Sequence, residues 1–308
     1  MQIKSNYPLS EVTTLQIGGP AKKFVSTTST SELTSAIQYA KQNNMKYLVI
    51  GGGSNLLVND EGVDKLVIKN GIVGIKHQGL IVKVKSGTLL QELVDYSIQH
   101  GLSGLQKLTG IPGTVGGAVY GNAGAYGQTI SDHIVEIVAY NGQRIITPSR
   151  DQCEFDYRDS GFKKNHFTIL EVIFQLENED PETLQQESKD VLSKRLIKYP
   201  PGIKCPGSFF KNLVADDLPK EILQKIPPEK ITYGKISAGY LLESVGAQGQ
   251  RLDGIEIADY HANLFINKGG GTAKAFYDLA KKYADKVYEK FGISLEPEVQ
   301  LINLSPLN

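Results

Sequence analysis

The chain has no excess charge of either sign: its 33 basic and 33 acidic side chains cancel over 308 residues. Without a basic stripe, nothing favours nucleic acid as a partner. No apolar run approaches the ~18 residues needed to cross a bilayer, so no membrane partner is expected. The opening "MQIKSNYPLSEV" lacks the apolar core of a secretory signal. Two cysteines, Cys153 and Cys205, are too few for a disulfide framework. Both absences point to a cytoplasmic location. No C-x-x-C or H-E-x-x-H occurs, and no metal site is expected. Also missing are G-x-x-x-x-G-K-[ST] and a G-x-G-x-x-G between strand and helix, which disfavours P-loop and Rossmann-type nucleotide sites.

What the chain does have in quantity is glycine, at 32 residues above the usual share. Apolar residues make up 40% and charged ones 21%, the balance of a folded globular protein, and the length allows two domains. "STSELTSAIQYAKQNN" opens with Ser29 three residues before Glu32, a capping-box spacing, and Leu33, Ile37 and Ala40 share the helical face that follows. "KYLVI" is a short strand running into "GGGSNLLV", and "DKLVIKN", "IVGIKH" and "LIVKVKSG" read as further strands. "TLLQELVDYSIQHG" reads as a helix with Leu89 or Leu90, Leu93, Val94 and Ile98 inward and Gly101 at its end. "IVEIVAYNGQRIIT" reads as a hairpin with a type I′ turn at Asn141-Gly142. A strand at "HFTILEVIFQLEN" and a polar helix at "PETLQQESKDVLSKRLIK" follow. Three prolines in "YPPGIKCPG" (199–207) mark a domain boundary. Beyond it come a helix at "KISAGYLLESVG", a strand at "HANLFINKG" and a long helix with Phe276, Leu279, Tyr283 and Val287 on one face. "EPEVQLIN" is the last strand, and the sum is an α+β protein.

The glycine excess gathers in two places. "GIPGTVGGAVYGNAGAYG" (110–127) holds seven glycines in eighteen residues and no charge, and "GGGSN" (51–55) is the other. Tight turns and close packing account for isolated glycines. Successive unhindered N–H groups, however, also form a concave nest that holds an anion without lysine. Ser54 and Asn55 add a hydroxyl and an amide. With the two common nucleotide signatures absent, the pattern suits a large diphosphate-bearing cofactor held along its backbone, a flavin dinucleotide before others.

Six ordered stretches carry a resemblance: "TTLQIGGPA" (13–21), "VIGGGSNLLV" (49–58), "LTGIPGTVGGAVYGNAGAYG" (108–127), "YRDSGFK" (157–163), "GSFFKN" (207–212) and "LEPEV" (295–299). Together they resemble the UDP-N-acetylenolpyruvoylglucosamine reductases, flavoenzymes of bacterial peptidoglycan precursor synthesis. The resemblance implies a vanillyl-alcohol-oxidase-type FAD-binding domain over residues 1–198, made of two α+β subdomains (about 1–70 and 71–198). It implies a C-terminal α+β substrate-binding domain over 199–294 and a terminal strand, 295–308, returning to the FAD domain. FAD is the implied cofactor, NADPH the co-substrate, and the implied state is a monomer. FAD would lie against Gly51, Gly52, Gly53, Ser54, Asn55, Leu56, Gly113, Thr114, Gly116, Gly117, Asn122, Gly124 and Ala125. The N–H groups of both loops would meet its diphosphate, with no room for a side chain at Gly116 or Gly117.

The implied reaction reduces UDP-N-acetylglucosamine enolpyruvate to UDP-N-acetylmuramate: a hydride passes from NADPH through FAD to vinyl carbon C3, and a proton goes to C2. In the matching motifs Arg158 would pair with the substrate carboxylate. Ser208 would deliver the proton, and since a serine hydroxyl is a poor acid, its neighbours must make it work. Glu298 would polarise the enolpyruvyl group or relay a proton, with Glu296 as the alternative. Tyr126 would contact substrate or nicotinamide, Lys198 and Asn212 the diphosphate and sugar, and His261 a polar group of the substrate. Taken alone, Arg158 reads as a surface ion pair with Asp159, Ser208 as a turn residue and Lys198 as the last-turn lysine of its helix. Two departures stand out: Gln300 occupies a place where most relatives carry arginine or a similar base, and the chain between Arg158 and Ser208 is short for a tyrosine-bearing lid. The competing readings are another flavin oxidoreductase of this fold and a non-catalytic flavin or UDP-sugar binder. The first needs no such proton donor, and the second could lose any of the three catalytic residues.

Overall fold

The helix expected after Ser29 forms as α1 (Thr30–Gln42) in the computed structural model, which describes residues 1–307. Ser29 Oγ accepts from the Glu32 N–H at 3.2 Å, but Glu32 closes the cap one residue further out, accepting from the Thr28 N–H at 2.7 Å. The N–H and hydroxyl of Thr28 hold the Glu32 carboxyl below its ordinary value. Leu33, Ala36, Ile37 and Ala40 are fully buried. They pack on a four-stranded sheet in the order β1 (Lys4–Pro8), β2 (Pro20–Thr27), β4 (Val63–Asn70), β3 (Tyr47–Ile50). β3 and β4 run parallel, Tyr47 opposite Leu66. Burying a large apolar side chain is worth ~1.5–3 kcal/mol, so Leu33 and Ile37 alone go far toward fixing α1 on this sheet.

A second sheet has five strands, antiparallel throughout, in the order β8 (Ile145–Ile146), β7 (Ile134–Tyr140), β9 (Thr168–Gln175), β6 (Ile81–Lys85), β5 (Ile75–Gln78). On it lie α2 (Leu90–Gln99), with Leu90, Leu93, Val94 and Ile98 inward, and the short α3 (Val115–Tyr120). Leu89 is the exposed N-cap of α2, and Gly101, at φ +66°, follows its end. Two sheets, each with its own helices, are the two α+β subdomains expected of the FAD-binding fold. α4 (Pro181–Lys198) buries Leu184 and Val191 and leaves Ile197 exposed.

The β7–β8 hairpin forms, but its turn is not type I′. Four residues, 141–144, separate Tyr140 from its partner Ile145, and only Gly142 has a positive φ. Asn141 Oδ1 accepts from the N–H groups of Gln143 and Arg144, so the side chain replaces a backbone acceptor and lengthens the loop. The two-residue turn with both φ angles positive lies elsewhere. Tyr126 (φ +51°) and Gly127 (φ +82°) join Gly124–Ala125 to Gln128–Thr129.

The chain divides into two compact units. The first comprises 1–7, 21–53 and 64–197; the second gathers 8–20, 54–63 and the chain from Lys198 onward. From sequence, the first domain runs unbroken to 198, and 295–308 returns to it. The terminal strand β12 (Gln300–Ile302) does pair, in parallel, with Leu56–Val58, but that partner belongs to the second unit. The reason is packing: Leu15, Ile17, Leu57 and Val299 share one core with the long C-terminal helix.

That core is built on α5 (Ala238–Glu243), the hairpin of β10 (Ile255–Ile257) with β11 (Phe265–Asn267), and α6 (Ala273–Phe291). Phe276, Leu279, Tyr283 and Val287 form the buried stripe of α6 at helical spacing. Thr272 caps its start, and Gly292, at φ +75°, ends it. Phe209, Phe210, Phe265 and Phe276 meet edge-to-face or tilted, with ring centroids 4.7–6.4 Å apart.

Candidate functional site

In the first unit the two glycine loops lie backbone to backbone. A Cβ on Gly52 would stand 2.9 Å from the Gly113 Cα, and one on Gly51 would overlap the Thr114 hydroxyl. The seam between them is therefore bare peptide. Thr114 caps α3, with Oγ1 accepting from the Gly117 N–H at 3.4 Å. The Gly116 N–H donates to the Ser86 carbonyl at 2.8 Å, and that of Val115 to Thr88 at 2.9 Å. These amides are engaged inside the protein, contrary to the expectation that they face a diphosphate. A Cβ on Gly116 would come within 2.9 Å of the Ser86 Cβ, so the fold accounts for that glycine by itself. A Cβ on Gly117 would meet nothing closer than Thr114 Oγ1, at 3.6 Å.

Asn122 is 5% exposed. Its Nδ2 donates to the Asp156 carbonyl at 2.8 Å, and its Oδ1 is buried with no hydrogen-bond partner among the described residues. Such an acceptor costs ~1–3 kcal/mol until a donor reaches it. The turn Asp156–Ser160 is fastened to the glycine-rich stretch at three points. Asn122 reaches Asp156, Arg158 Nη2 donates to the Gly124 carbonyl at 2.6 Å, and Ser160 Oγ donates to the Tyr120 carbonyl at 2.7 Å. Asp156 and Asp159 exchange backbone bonds at 3.1 Å, which leaves Arg158 at the tip with φ +55°. Its guanidinium lies 5.3 Å from the Tyr157 ring, while Asp159 pairs with Lys163 at 3.2 Å. Tyr126, 46% exposed, stands at the neighbouring turn with Lys194 Nζ 6.0 Å from its ring. Gly124, Ala125, Tyr126 and Arg158 are thus gathered in one place, held by backbone carbonyls.

In the second unit the organising segment is Ser208–Lys211. Ser208 bridges to Leu264 on one edge, and Phe210 bridges to Pro297 on the other. The Phe209 N–H donates to the Asn263 carbonyl at 2.9 Å, and the Glu298 N–H donates to the Phe209 carbonyl at 2.7 Å. Buried Asn263 clamps Phe210 from both sides: Oδ1 accepts its N–H at 2.9 Å and Nδ2 donates to its carbonyl at 2.8 Å. Phe209 and Phe210 anchor the segment in the aromatic core. Ser208 Oγ lies 2.9 Å from the Tyr199 hydroxyl and 3.4 Å from His261 Nε2. Burial, and then the charge of Lys198, pushes the His261 imidazole from 6.5 down to about 4, so it is neutral at physiological pH.

Glu298 is half-buried and tied to the residue after Ser208, whereas Glu296 is exposed and ion-paired with Lys211 at 2.6 Å. Asn55 Nδ2 donates to the Glu298 carbonyl at 3.0 Å, and its own carbonyl accepts from the Gln300 N–H at 3.0 Å. The amide expected on a cofactor thus holds the terminal segment. Leu56 begins the strand that pairs with β12. Asn212 Oδ1 accepts from the Ala238 N–H at 3.2 Å, at the start of α5. Lys198 is the exposed last residue of α4. His261 faces Ser208. Tyr199 and Asn263 are absent from the expected site. Among the described residues no helix is long and apolar enough to cross a membrane, and no cluster of three His, Cys, Asp or Glu could hold a metal ion. Burial raises the Cys153 and Cys205 thiols, which takes them out of nucleophilic use.

Comparison with known proteins extends over both units. Residues 21–145 match the FAD binding domain family, and residues 200–302 match the C-terminal domain of UDP-N-acetylenolpyruvoylglucosamine reductase. The chain is 38% identical over 303 residues to the UDP-N-acetylenolpyruvoylglucosamine reductase of Solibacter usitatus (strain Ellin6076), covering 98% of this chain and 97% of that protein. It is 35% identical over 306 residues to the reductase of Bacillus subtilis (strain 168), covering 98% and 94%. The crystal structure of UDP-N-acetylenolpyruvylglucosamine reductase from Thermus caldophilus aligns with a TM-score of 0.78 and 29% identity, over 98% of this chain and 99% of that one. Matched end to end in sequence and fold, the chain belongs to the UDP-N-acetylenolpyruvoylglucosamine reductase family.

Proposed function

We propose that the chain reduces UDP-N-acetylglucosamine enolpyruvate to UDP-N-acetylmuramate, with FAD as cofactor and NADPH as reductant, as a cytoplasmic monomer serving peptidoglycan precursor synthesis. The observation that carries this reading is the Ser208–Lys211 segment, which holds a serine hydroxyl in a polar array and binds the Glu298 backbone, in a chain that matches the reductases from end to end.

The first unit fits a flavin dinucleotide. Gly51 and Gly52 meet Gly113 and Thr114 with no side chain between the two loops, and the buried Asn122 Oδ1 lacks a donor among the described residues, the place for a cofactor group to supply one. Gly51, Gly52 and Gly53, with Asn122, Gly124 and Ala125, would hold the cofactor. Bound FAD supplies hydride transfer from NADPH to the substrate vinyl carbon. The chain's own residues do the rest. Arg158 pairs with the substrate carboxylate and stabilises the negative charge that develops there. Ser208 gives its proton to C2, and Glu298 polarises the enolpyruvyl group. Tyr126 and Lys198 bind substrate, while Asn212 and His261 support α5 and Ser208.

The test is anaerobic incubation of the flavin-loaded protein with NADPH and UDP-N-acetylglucosamine enolpyruvate. The expected result is one NADPH oxidised for each UDP-sugar gaining two hydrogens by mass spectrometry. NADPH oxidation that requires oxygen and leaves the UDP-sugar mass unchanged would overturn the reading in favour of an oxidase.

A further inference from the structure

Among the described residues Ser208 Oγ has two hydrogen-bond partners, the Tyr199 hydroxyl at 2.9 Å and His261 Nε2 at 3.4 Å. A serine hydroxyl offers one proton and two acceptor lone pairs. If either neighbour accepted the serine proton, that proton would point into the protein and Ser208 could not act as an acid. If both neighbours donate, the two lone pairs are filled and the proton is left to point away from both. We propose that Tyr199 and His261 are positioning residues that donate to Ser208 Oγ, turn its proton outward and stabilise the alkoxide left when that proton departs. This rests on the reading of Ser208 as the proton donor.

Two further features support the assignment. The imidazole is neutral, so it carries one N–H, and burial with Lys198 nearby disfavours a second proton. The backbone that presents Ser208 to the ring is rigid, through the Ser208–Leu264 bridge and the Asn263 clamp.

The step balances. The Ser208 O–H bond breaks as a C–H bond forms at C2. The alkoxide then takes the Tyr199 phenol proton, a phenol being far more acidic than an aliphatic alcohol, and the phenolate recovers a proton from water. His261 keeps its proton throughout. The polarity is therefore opposite to a serine–histidine pair that makes a nucleophile, in which the imidazole accepts from the hydroxyl.

Two measurements test this. In the full-length holoprotein labelled with ¹⁵N-histidine, His261 Nε2 should give the signal of a protonated, pyrrole-type nitrogen near neutral pH. An unprotonated Nε2 overturns the proposal whatever the activity. In anaerobic single turnovers, Tyr199→Phe and His261→Phe should slow substrate-driven return of the flavin colour by about 10²-fold each, as for loss of one oxyanion donor. Their bleaching by NADPH should be unchanged. His261→Gln, which restores an N–H near the same place, should recover most of the rate lost in His261→Phe. Equal rates for the Gln and Phe variants, or wild-type rates for Phe at both positions, overturn the proposal. Ser208→Ala separates the layers: if it too recolours at the wild-type rate, the role of Ser208 falls first. If NADPH never bleaches the protein, the reductase reading falls with it.

Discussion

Acidifying the solution from pH 7 to pH 5 should weaken the fold through one buried ring. The His261 imidazole protonates near pH 4 in the folded chain, against an ordinary 6.5, because burial and then Lys198 oppose its charge. Between those values the unfolded chain binds a proton that the folded chain refuses. Stability is therefore complete above the unfolded value and is lost as the pH falls toward the folded one. The gap of about 2.5 in pKa is worth about 3 kcal/mol in full, of which about 2 kcal/mol is lost between pH 7 and pH 5. Lys198 is the charge acting on the ring, Ser208 lies 3.4 Å from its Nε2, and the Tyr199 ring stands edge-on with centroids 6.5 Å apart. The assay is urea unfolding of the full chain at pH 7, 6 and 5, wild type against His261→Gln, which has nothing to titrate. The wild type should lose about 2 kcal/mol more than the variant over that range. A difference between the two that does not change with pH would mean that the ring titrates alike in folded and unfolded chains, and that burial does not hold it neutral.

Other consequences follow from named contacts. Gly52→Ala places a methyl group 2.9 Å from the Gly113 Cα, where neither backbone can yield cheaply, so the protein should lose its flavin on gel filtration; a full complement of bound FAD would show that the seam adapts. Gly117→Ala meets only an ordinary contact and should fold with an unchanged thermal midpoint. Asn263→Ala leaves the Phe210 N–H and carbonyl without their buried partners, a loss of about 2–4 kcal/mol in urea unfolding. Tyr126→Asn gives an Asn-Gly pair at a turn where both φ angles are positive, which should stabilise the chain by about 1 kcal/mol and raise the KM for the UDP-sugar. An unchanged KM would remove Tyr126 from the substrate site.

Much of this was legible because period and punctuation are local. Ser29 and Glu32 announce α1, the Leu90–Ile98 stripe announces α2, and Phe276, Leu279, Tyr283 and Val287 announce α6. Other features depend on what a side chain meets across the fold. Asn141-Gly142 reads as a two-residue turn, yet the Asn141 side chain bonds two amides and widens the loop. Tyr126-Gly127 gives no such signal, because a tyrosine at positive φ is tolerated only where neighbouring structure enforces it. Gly116 looks like a cofactor glycine but is required by Ser86, thirty residues earlier. Asn55 looks like a phosphate ligand but holds the segment of Glu298. Tyr199 sits in a proline-rich break that reads only as a boundary; no spacing could place its hydroxyl on Ser208. The motifs "YRDS", "GSFFKN" and "LEPEV" located the candidate residues, and the two phenylalanines after Ser208 turn out to be the anchors that hold its backbone still.

The decisive measurement is an anaerobic stopped-flow record of the flavin band. NADPH should bleach it, and UDP-N-acetylglucosamine enolpyruvate should then restore it without oxygen, with Ser208→Ala bleaching normally and recovering about 10²–10⁴-fold more slowly. A protein that holds no flavin, or whose colour returns only when oxygen is admitted, would contradict the account.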